Sequence, residues 1–599
     1  MRGKWRRRPA VFFGAALTAS AVIAAGFPGT AAGQSAVSAE RAQEAEEIQG
    51  EEKLQSPTSL KVRRLTKDST TLQWEASDGA LEYWIYWSDR NRTDLEGTEG
   101  YALAGKTKAT TFVYEKPTHM ERYFKVVAVD ENGKSAPSEV VLAGIQKNFK
   151  PQAEYLDRGL TAVLTEQGVF ASWRITADEY AAGAAYELYR DGCLIAQVSA
   201  GENSNYLDKE GTADASYTVR AVTGEIEQPP CRPVKVWSDQ YLEVKLQKPE
   251  PYHDEKVTQE YEYTPNDTLT ADADGDGQYE LFVMWDGLSQ DNSKDGCTAP
   301  VYIDCYKLDG TLLWRVDLGI NIRAGAHYTQ FQVYDFDGDG KAEMICKTAD
   351  GTRDGAGKPI DGTEQVTDYR NETGRILSGP EYLTLFDGET GIALDTVDYD
   401  PQRGEVASWG DSYGNRVDRF LGCVAYLDGT HPSAVFSRGY YTRAVICAYD
   451  VSEDKLVQRW KIDSDDGGEN RFLYNQGAHT MTAADVDNDG CQEVIFGSAT
   501  VDHDGTLLYS LSQHGEKHGG HGDAERVGDF NLRHPGLEIF MVHENKPLDA
   551  GIEMHDGDDG NYVFSFPTTA DIGRGAAADI DPRYEGCLLY TSPSPRDGA

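Results

Sequence analysis

Short runs that alternate between apolar and polar residues dominate the chain from about residue 57 onward. Thr70 to Trp74, Tyr83 to Trp87 and Tyr123 to Val129 are three such runs, with Gly, Asn and Asp turn signals between them. Period-two alternation over this length is typical of β-strands that bury one face. The pattern predicts an all-β chain with a β-sandwich over 55–146, a β-sheet domain over 150–247 and a longer β region over 250–586.

An acidic loop recurs within the longest β region and leads each time into an apolar run. Strong copies begin at Asp272, Asp335 and Asp485, and weaker copies begin at 428, 529 and 579. One metal loop, one strand and one hairpin per repeat predict the blades of a β-propeller, because a single blade cannot bury both faces of its sheet. Six starts predict about six blades.

The three strong loops have the residue spacing that calcium requires. Ca²⁺ binds oxygen ligands, and carboxylates at alternate positions followed by a glycine turn can surround it. An EF-hand would place Glu where this chain has Val283, Cys346 and Phe496, so these are strand-leading loops of another kind. Turns of Asp and Gly that hold no ion are the alternative. The predicted Ca²⁺ ligands are Asp272, Asp274, Asp276 and Glu280, then Asp335, Asp337, Asp339 and Glu343, then Asp485, Asp487, Asp489 and Glu493.

The first residues predict export. A basic stretch from Arg2 to Arg8 precedes an apolar run from Val11 to Phe27 and then small residues. This order predicts a signal peptide over 1–33 and a linker over 34–54. A transmembrane anchor is the alternative, but the run is at the lower limit for spanning a bilayer. We therefore expect a secreted, extracellular protein with no membrane span after the signal is removed.

The charge excludes one class of partner. The chain carries 99 acidic and 57 basic residues, a formal net charge of −42. A general nucleic-acid-binding surface needs a cationic footprint, which this composition does not supply. The acidic residues fit a solvated surface or carboxylates that hold metal ions.

Polar, glycine-spaced segments between the loops supply the candidate chemistry. Guanidinium groups pair with carboxylates in a fork and aromatic faces stack on sugar rings, so Arg and Tyr near a propeller axis suit an anionic sugar polymer. His479 and His521, with Asp523 and Glu544, are candidates for a mixed nitrogen and oxygen metal site. Tyr440 and Tyr441 as core residues, and Asp418 with Arg419 as an ion pair between blades, are the alternatives. The predicted substrate contacts of this kind are Arg323, Arg416, Arg438 and Tyr440.

The region from 150 to 586 resembles a rhamnogalacturonan lyase of polysaccharide lyase family 11. The resemblance rests on long strings such as Asp317 to Gln330, Trp409 to Phe420 and Arg438 to Arg443. It implies an eight-bladed, calcium-binding β-propeller that cleaves the rhamnose–galacturonate backbone of rhamnogalacturonan I by β-elimination. Alternatives are an integrin-like calcium propeller that only binds glycan or protein, and a hydrolase with paired carboxylates. The segment 55–146 resembles a fibronectin type III module.

The resemblance also implies roles for single residues. It places Arg574 at the active site, Asn266 and Asp286 in contact with substrate, and a metal at His479, His521, Asp523 and Glu544. The family's presumed base is a Lys in an Asn-Gly-Thr-Lys stretch, which this sequence does not contain. Residues 587–599 show neither strand nor helix periodicity. We therefore expect an aberrant tail over 587–599, an incomplete propeller with about two blades missing, and a monomer.

Overall fold

The structure is a computed structural model. It describes residues 54–66, 69–92, 95–116, 122–143, 151–152, 158–176, 179–180, 182–199, 201–224, 226–544, 547–578, 580 and 587–592. The predicted signal peptide and nearly all of the predicted linker lie outside these residues. The repeat start at 579 lies outside them as well. No helix among the described residues is long and apolar enough to cross a membrane.

The first described module is a β-sandwich of seven strands. One sheet has the order β1-β2-β5 and the other has the order β4-β3-β6-β7. Leu72 and Trp74 from the first sheet pack against Ile85, Phe124 and Val126 from the second, so the alternating runs bury one face each. The strands are β1 (Thr58–Leu65), β2 (Thr70–Glu75), β3 (Glu82–Ser88), β4 (Ala102–Thr107), β5 (Thr111–Tyr114), β6 (Arg122–Val129) and β7 (Val141–Ala143).

The second module is an eight-stranded sheet in the order β11-β10-β13-β15-β8-β9-β12, with β14 paired to β13. Its core contains Trp173, Leu188, Tyr217 and Val219, which alternate with partly exposed residues along their strands. The strands are β8 (Thr161–Thr165), β9 (Gly168–Ser172), β10 (Ala185–Arg190), β11 (Cys193–Val198), β12 (Asn205–Asp208), β13 (Ser216–Thr223), β14 (Ile226–Glu227) and β15 (Val234–Trp237).

Five antiparallel four-stranded sheets and one strand pair follow in chain order. We call them sheets A to E and pair F. Sheets A and B comprise β16 (Thr264–Ala271), β17 (Glu280–Asp286), β18 (Tyr302–Tyr306) and β19 (Leu312–Asp317), then β20 (Phe331–Tyr334), β21 (Glu343–Ala349), β22 (Glu381–Asp387) and β23 (Ala393–Asp398).

Sheets C and D comprise β24 (Phe420–Ala425), β25 (Ser433–Arg438), β26 (Val445–Ser452) and β27 (Lys455–Asp463), then β28 (Thr482–Ala484), β29 (Glu493–Phe496), β30 (Ala499–Val501) and β31 (Leu507–Ser510). Sheet E and pair F comprise β32 (Gly522–Gly528), β33 (Glu538–His543), β34 (Leu548–Asp556) and β35 (Tyr562–Thr568), then β36 (Arg574–Ala578) and β37 (Leu588–Ser592). Short 3₁₀ turns lie at Val406–Trp409, Ser464–Asp466, Asn470–Leu473 and Leu511–His514.

Neighbouring sheets share hydrophobic cores because strand side chains alternate between two faces. In β29, Val494 and Phe496 join the core with sheet C, whereas Ile495 joins the core with sheet E. In β25, Val435 faces sheet D and Phe436 faces sheet B. The first strands of sheets A and B, B and C, and C and D are also in contact. The sheets therefore stack face to face in chain order.

The C-terminal end contains one more strand. Residues 588–592 form β37, which pairs antiparallel with β36, within a segment whose sequence shows neither strand nor helix periodicity. Leu588, Leu589 and Tyr590 are residues with good strand propensity, and β36 supplies the backbone partner that a short run needs. The pairing joins Arg574 to Ser592 and Ala578 to Leu588.

The two ends of each sheet carry different connecting segments. In sheets A, B, D and E the first strand runs into an acidic loop, which leads into the second strand; we call this the loop end. We call the opposite end, where the first strand begins and the second strand finishes, the upper end. The turns after the second strand and before the first strand meet there.

Candidate functional site

A cluster of titratable side chains lies at the upper end of sheets D and E. His479 precedes β28, His521 and Asp523 lie at the start of β32, Glu544 follows β33, and Arg574 begins β36. These residues are far apart in the sequence. They converge because the starts of first strands and the ends of second strands meet at this end of the stacked sheets.

The cluster has the geometry of a cation site. His479 Nε2 lies 3.2 Å from Asp523 Oδ1, and His521 Nε2 lies 3.5 Å from Glu544 Oε2. Candidate ligand atoms of His479, His521 and Asp523 all lie within 4.8 Å of one another. The backbone N–H of Glu544 donates to the carbonyl of His521 at 3.2 Å, which fixes the two segments together. Two imidazoles and two carboxylates form a mixed nitrogen and oxygen ligand set.

The environment of His521 fits a bound cation. Its side chain is fully buried, and among the described residues neither ring nitrogen has a hydrogen-bond partner. Burial, together with nearby His479, lowers the pKa of His521 well below its ordinary value, so the ring is neutral and can donate a lone pair to a metal. Glu544 Oε2 also lacks a hydrogen-bond partner. Buried polar atoms left unsatisfied in this way call for an explanation, and a cation bound here would satisfy one ring nitrogen of His521 and the Glu544 oxygen.

Aromatic rings form one wall of the cluster. The Tyr441 ring centroid lies 3.7 Å from that of His521, and the Tyr440 ring stacks on His521 at 5.2 Å. Tyr441 has φ 72°, a left-handed conformation that is rare for a bulky residue. Backbone strain of this kind concentrates at functional sites. The sequence alone did not separate half-buried Tyr441 from its fully buried neighbour Tyr440, whose hydroxyl contacts His327 Nδ1 at 3.0 Å.

Two arginines border this wall. The guanidinium of Arg416 lies 4.1 Å from the Tyr441 ring centroid, so this predicted substrate contact is beside the cluster. Arg419 donates to Asn415 Oδ1 at 2.8 Å and to the Tyr440 hydroxyl at 3.2 Å. The alternative that pairs Asp418 with Arg419 is not what the structure has, because Asp418 lies 3.5 Å from Arg438 instead.

Arg574 combines proximity to the cluster with exposure. Its Nη1 atom lies 3.5 Å from Asp523 Oδ2, and 73% of its side chain is exposed. The same nitrogen donates to the carbonyl of Gly573. A cationic group that stands beside the metal-ligand cluster and still faces solvent is available to an anionic ligand.

Two of the predicted arginine contacts are buried, as is the predicted contact Tyr440. Arg438 has no exposed surface and pairs with Glu381 at 2.9 Å, while its Nε donates to the carbonyl of Val417. Arg323 is 3% exposed, contacts the Tyr328 hydroxyl and donates to the carbonyl of Lys294 at 2.6 Å. The terminal guanidinium nitrogens of both side chains have hydrogen-bond partners inside the protein. Burial therefore argues against direct substrate contact by either guanidinium.

Asn266 and Asp286 lie together at the upper end of sheet A. Thr264 pairs with Asp286 in the register of β16 and β17, and Asn266 is exposed two residues further along. Asp286 accepts a hydrogen bond from Ser289 Oγ at 3.2 Å, and burial raises its pKa. The two residues share the upper end with the histidine cluster, but belong to a different sheet.

The three strong acidic loops lie at the loop ends of sheets A, B and D. In each loop the final Glu accepts a hydrogen bond from the backbone N–H of the second loop residue. These bonds measure 2.8 Å from Ala273 to Glu280, 2.9 Å from Phe336 to Glu343, and 2.8 Å from Val486 to Glu493. Carboxylate oxygens of the first and second Asp triads each lie within 4.8 Å of one another. The loops thus hold their carboxylates in convergent arrangements.

The raised pKa values of the loop carboxylates fit cation binding. Burial raises the pKa of Glu280 to about 7, of Glu343 to about 9 and of Glu493 to about 10, and neighbouring Asp residues add to each shift. Burial likewise raises the pKa of Asp487 to about 7. Repelling carboxylates in a buried loop are costly to ionise together unless a cation neutralises them.

The sequence did not identify two further residues that lie beside the acidic loop of sheet D. His503 Nδ1 lies 3.7 Å from Asp489 Oδ2 and 2.6 Å from Asp502 Oδ1. Candidate ligand atoms of Glu493, Asp502 and His503 form another group within 4.8 Å. Asp502 and His503 follow β30, and the Asp-His-Asp-Gly turn that contains them was the available signal.

Comparison with known proteins places most of the chain in one group. Residues 241–596 match the family model "Rhamnogalacturonan lyase family 11, C-terminal domain", and residues 151–237 match "Rhamnogalacturonan I lyases beta-sheet domain". The first match includes the segment 587–596, which was expected to depart from the family. Both the histidine cluster and the acidic loops lie within the first match.

Two relatives from Bacillus subtilis (strain 168) are similar over the same region. Rhamnogalacturonan exolyase YesX is 52% identical over 457 residues, which is 76% of this chain and 72% of the relative. Rhamnogalacturonan endolyase YesW is 51% identical over 444 residues, which is 74% of this chain and 70% of the relative. The crystal structure of exotype YesX superposes with a TM-score of 0.71, covering 74% of this chain and 72% of that one.

Proposed function

The chain belongs to rhamnogalacturonan lyase family 11, and on that premise we propose that it cleaves rhamnose–galacturonate bonds of rhamnogalacturonan I by β-elimination. It is a pectin-degrading polysaccharide lyase. The observation that carries the site assignment is the convergence of His479, His521 and Asp523 beside exposed Arg574. The substrate is an acidic plant cell-wall polysaccharide.

The proposed chemistry needs positive charge beside a galacturonate carboxylate. β-Elimination transfers the proton at C5 to a base, sends the electron pair of the C5–H bond into a new C4–C5 double bond and releases the oxygen at C4, which takes up a proton. A cation bound by His479, His521, Asp523 and Glu544 would neutralise the carboxylate and so acidify the C5 proton. Arg574 adds a guanidinium that can pair with the same carboxylate. Asp523 keeps Arg574 beside the cluster.

The neighbouring side chains fit the binding of sugar rings. The Tyr441 ring and the Arg416 guanidinium form a half-buried wall next to His521. We assign Asn266 and Asp286 to substrate contacts further along the upper end, and Tyr440 to support of the wall from behind. Aromatic rings contribute apolar contact area, and polar groups at their edges orient the ligand.

We propose that sheets A to E and pair F are blades of a β-propeller. Shared cores between successive sheets and contacts between successive first strands support radial stacking. We propose Ca²⁺ for the loops at Asp272, Asp335 and Asp485, since their donors are carboxylates on turns. His503, from the turn after β30, lies beside the loop at Asp485.

We further propose that the enzyme is secreted and acts outside the cell as a monomer. The basic and apolar pattern of residues 1–33 supports export. The first β-sandwich, which resembles a fibronectin type III module, lies outside the two family matches.

One assay tests the function. The protein is incubated with rhamnogalacturonan I while ultraviolet absorbance reports the unsaturated uronide, with and without chelator. Absorbance that rises and is suppressed by chelator is the expected result. New reducing ends without absorbance would indicate hydrolysis, and polymer binding without bond cleavage would indicate a binding propeller; either result contradicts the proposal.

A further inference from the structure

The first β-sandwich contacts the loop end of sheets D and E through basic side chains. Arg90 Nη2 lies 2.6 Å from Asp529 Oδ2, and Lys116 Nζ lies 2.5 Å from Asp558 Oδ1. Arg92 donates to the carbonyl of Leu532. In one further ion pair the sheets supply the basic side chain and the sandwich the acidic one: Arg533 Nη1 lies 2.5 Å from Glu99 Oε1. All four partners on the sheets belong to the turns that close the loop end.

Arg122 connects the sandwich directly to the acidic loop of sheet D. Its Nη2 atom donates to the carbonyl of Asp487 at 3.2 Å and to the carbonyl of Asn488 at 3.3 Å. Arg122 is 3% exposed, and its guanidinium lies 5.6 Å from the Trp87 ring centroid and 5.7 Å from that of Tyr114. These rings hold the guanidinium in an orientation that faces the loop.

The carbonyls that Arg122 contacts have positions that depend on the turn of the loop. Asn488 has φ 60°, so the chain reverses there in a left-handed conformation. Asp487 and Asp489, on either side of Asn488, are candidate cation ligands, and Asp487 Oδ1 and Glu493 Oε1 are buried without a hydrogen-bond partner among the described residues. A cation would hold these carboxylates together, and with them the two carbonyls.

Polar groups of the second module reach other acidic loops in the same way. Gln152 Nε2 donates to the carbonyl of Asp335 in sheet B at 2.9 Å. Arg232 Nη1 lies 3.4 Å from Asp276 Oδ1 in sheet A. The loop end is thus a docking face for the N-terminal modules. Along β32 it lies about 20 Å from Asp523, at about 3.3 Å per residue.

We propose that the first β-sandwich is a clamp on sheets D and E, and that cation binding by the loop at Asp485 holds the clamp closed. Arg122 donates hydrogen bonds to backbone carbonyls of the loop, so its contact depends on the loop conformation. Arg90 and Lys116 form ion pairs at the periphery. Since individual surface ion pairs contribute little, the buried Arg122 contact dominates the docking. The clamp acts at the face opposite the histidine cluster, so it does not touch the substrate.

Small-angle scattering and amide hydrogen exchange of the full chain test the clamp. We expect the double variant Arg122→Ala/Lys116→Ala to have a larger radius of gyration and about tenfold faster exchange over 485–493. The matched control is Lys106→Ala/Lys125→Ala, which removes the same charge from side chains that contact Trp84 and Gly97 within the sandwich. Lyase activity should be the same in both double variants. Scattering and exchange profiles that do not differ between them would refute docking.

A second pair of variants tests the cation dependence. At limiting Ca²⁺, Asp487→Asn should expand the chain and speed exchange over 485–493, and added Ca²⁺ should reverse both changes. Asp337→Asn weakens the equivalent loop of sheet B and should leave the sandwich docked. Equal expansion of both variants, or of neither, would show that the loop at Asp485 does not control the clamp. The readouts are independent of catalysis, so a failure here is distinguishable from a failure of the proposed lyase function.

Discussion

The imidazole of His479 and the carboxylate of Asp523 are 3.2 Å apart, although they lie on different sheets. The other oxygen of this carboxylate lies 3.5 Å from Arg574 Nη1. Asp523 therefore connects the candidate metal ligands to Arg574, the guanidinium that we assign to the substrate carboxylate. Each of the two functions can be tested separately.

Replacement of Asp523 should weaken metal binding and catalysis together. We expect Asp523→Asn to lower kcat/KM by about 100-fold, because the neutral amide loses charge toward both the cation and Arg574. A rise in the Ca²⁺ concentration that gives half-maximal activity should accompany this loss. Initial rates of uronide formation at several Ca²⁺ concentrations measure both.

Glu364→Gln is the matched control for Asp523. It neutralises a side chain that is 77% exposed and pairs with Arg353. This control should keep the parent rate and the parent Ca²⁺ dependence. A reduced rate in Asp523→Asn with unchanged Ca²⁺ dependence would remove Asp523 from the metal site.

Arg574 should matter for its shape as well as its charge. We expect Arg574→Ala to reduce kcat/KM by about 10² to 10³, the range for losing one group that stabilises developing charge. Arg574→Lys should recover only part of the loss, since an ammonium keeps the charge but not the forked geometry. Arg353→Ala, which removes a partly exposed arginine paired with Glu364, is the control. Full activity in Arg574→Ala would exclude a catalytic role.

Much of the fold could be predicted from the sequence because strand side chains alternate between two faces. Alternating residues such as Val494, Ile495 and Phe496 must face opposite sides of a sheet, so their apolar character predicted a sheet covered on both faces. The acidic loops were readable because ligand spacing is local. For the strand β37, by contrast, pairing with β36 decided the outcome, and that partner is not visible in the local periodicity.

The site was less predictable because burial depends on neighbours in space. His479, His521 and Asp523 were grouped as candidate metal ligands, and the structure brings their candidate ligand atoms within 4.8 Å of one another. Arg438 was expected to face substrate because it lies in a polar segment, but Glu381 from another sheet encloses it. Tyr441 became distinguishable from Tyr440 through its partial exposure and its positive φ.

The stabilisation of the protein by Ca²⁺ should increase with pH. The folded-state pKa of Glu343, about 9, lies above its ordinary value of 4.5. Its protonated form therefore contributes stability that is full below about pH 4.5 and is lost as the pH rises through 9. A bound cation offsets the cost of ionising Glu343, so the gain in Tm on adding Ca²⁺ should grow over this window. Calorimetry with Ca²⁺ or chelator measures it.

The stabilisation by Ca²⁺ has an expected size and can be tested with a pair of variants. A site saturated at 100 times its Kd contributes about 2.7 kcal/mol. Glu343→Gln should flatten the pH dependence, whereas Glu389→Gln, which neutralises an exposed glutamate of the same sheet paired with Lys341, should not. A Ca²⁺-induced gain in Tm that is constant from pH 4.5 to 9 would contradict the role of Glu343.

Arg438 should be needed for stability and not for substrate affinity. It is fully buried between Glu381 and Asp418, and Lys347 and Arg403 also contact Glu381 at 3.1 and 2.8 Å. Removing one member of a buried charge network leaves the others uncompensated, so Arg438→Ala should lower the free energy of unfolding by about 3–5 kcal/mol. Arg459→Ala, which breaks a partly exposed pair with Asp450, should cost about 1 kcal/mol or less. Denaturant titration measures both losses, and KM of the folded Arg438→Ala protein should equal that of the parent. A large rise in KM with unchanged stability would instead restore Arg438 as a substrate contact, and would require Glu381 to release it when polymer binds.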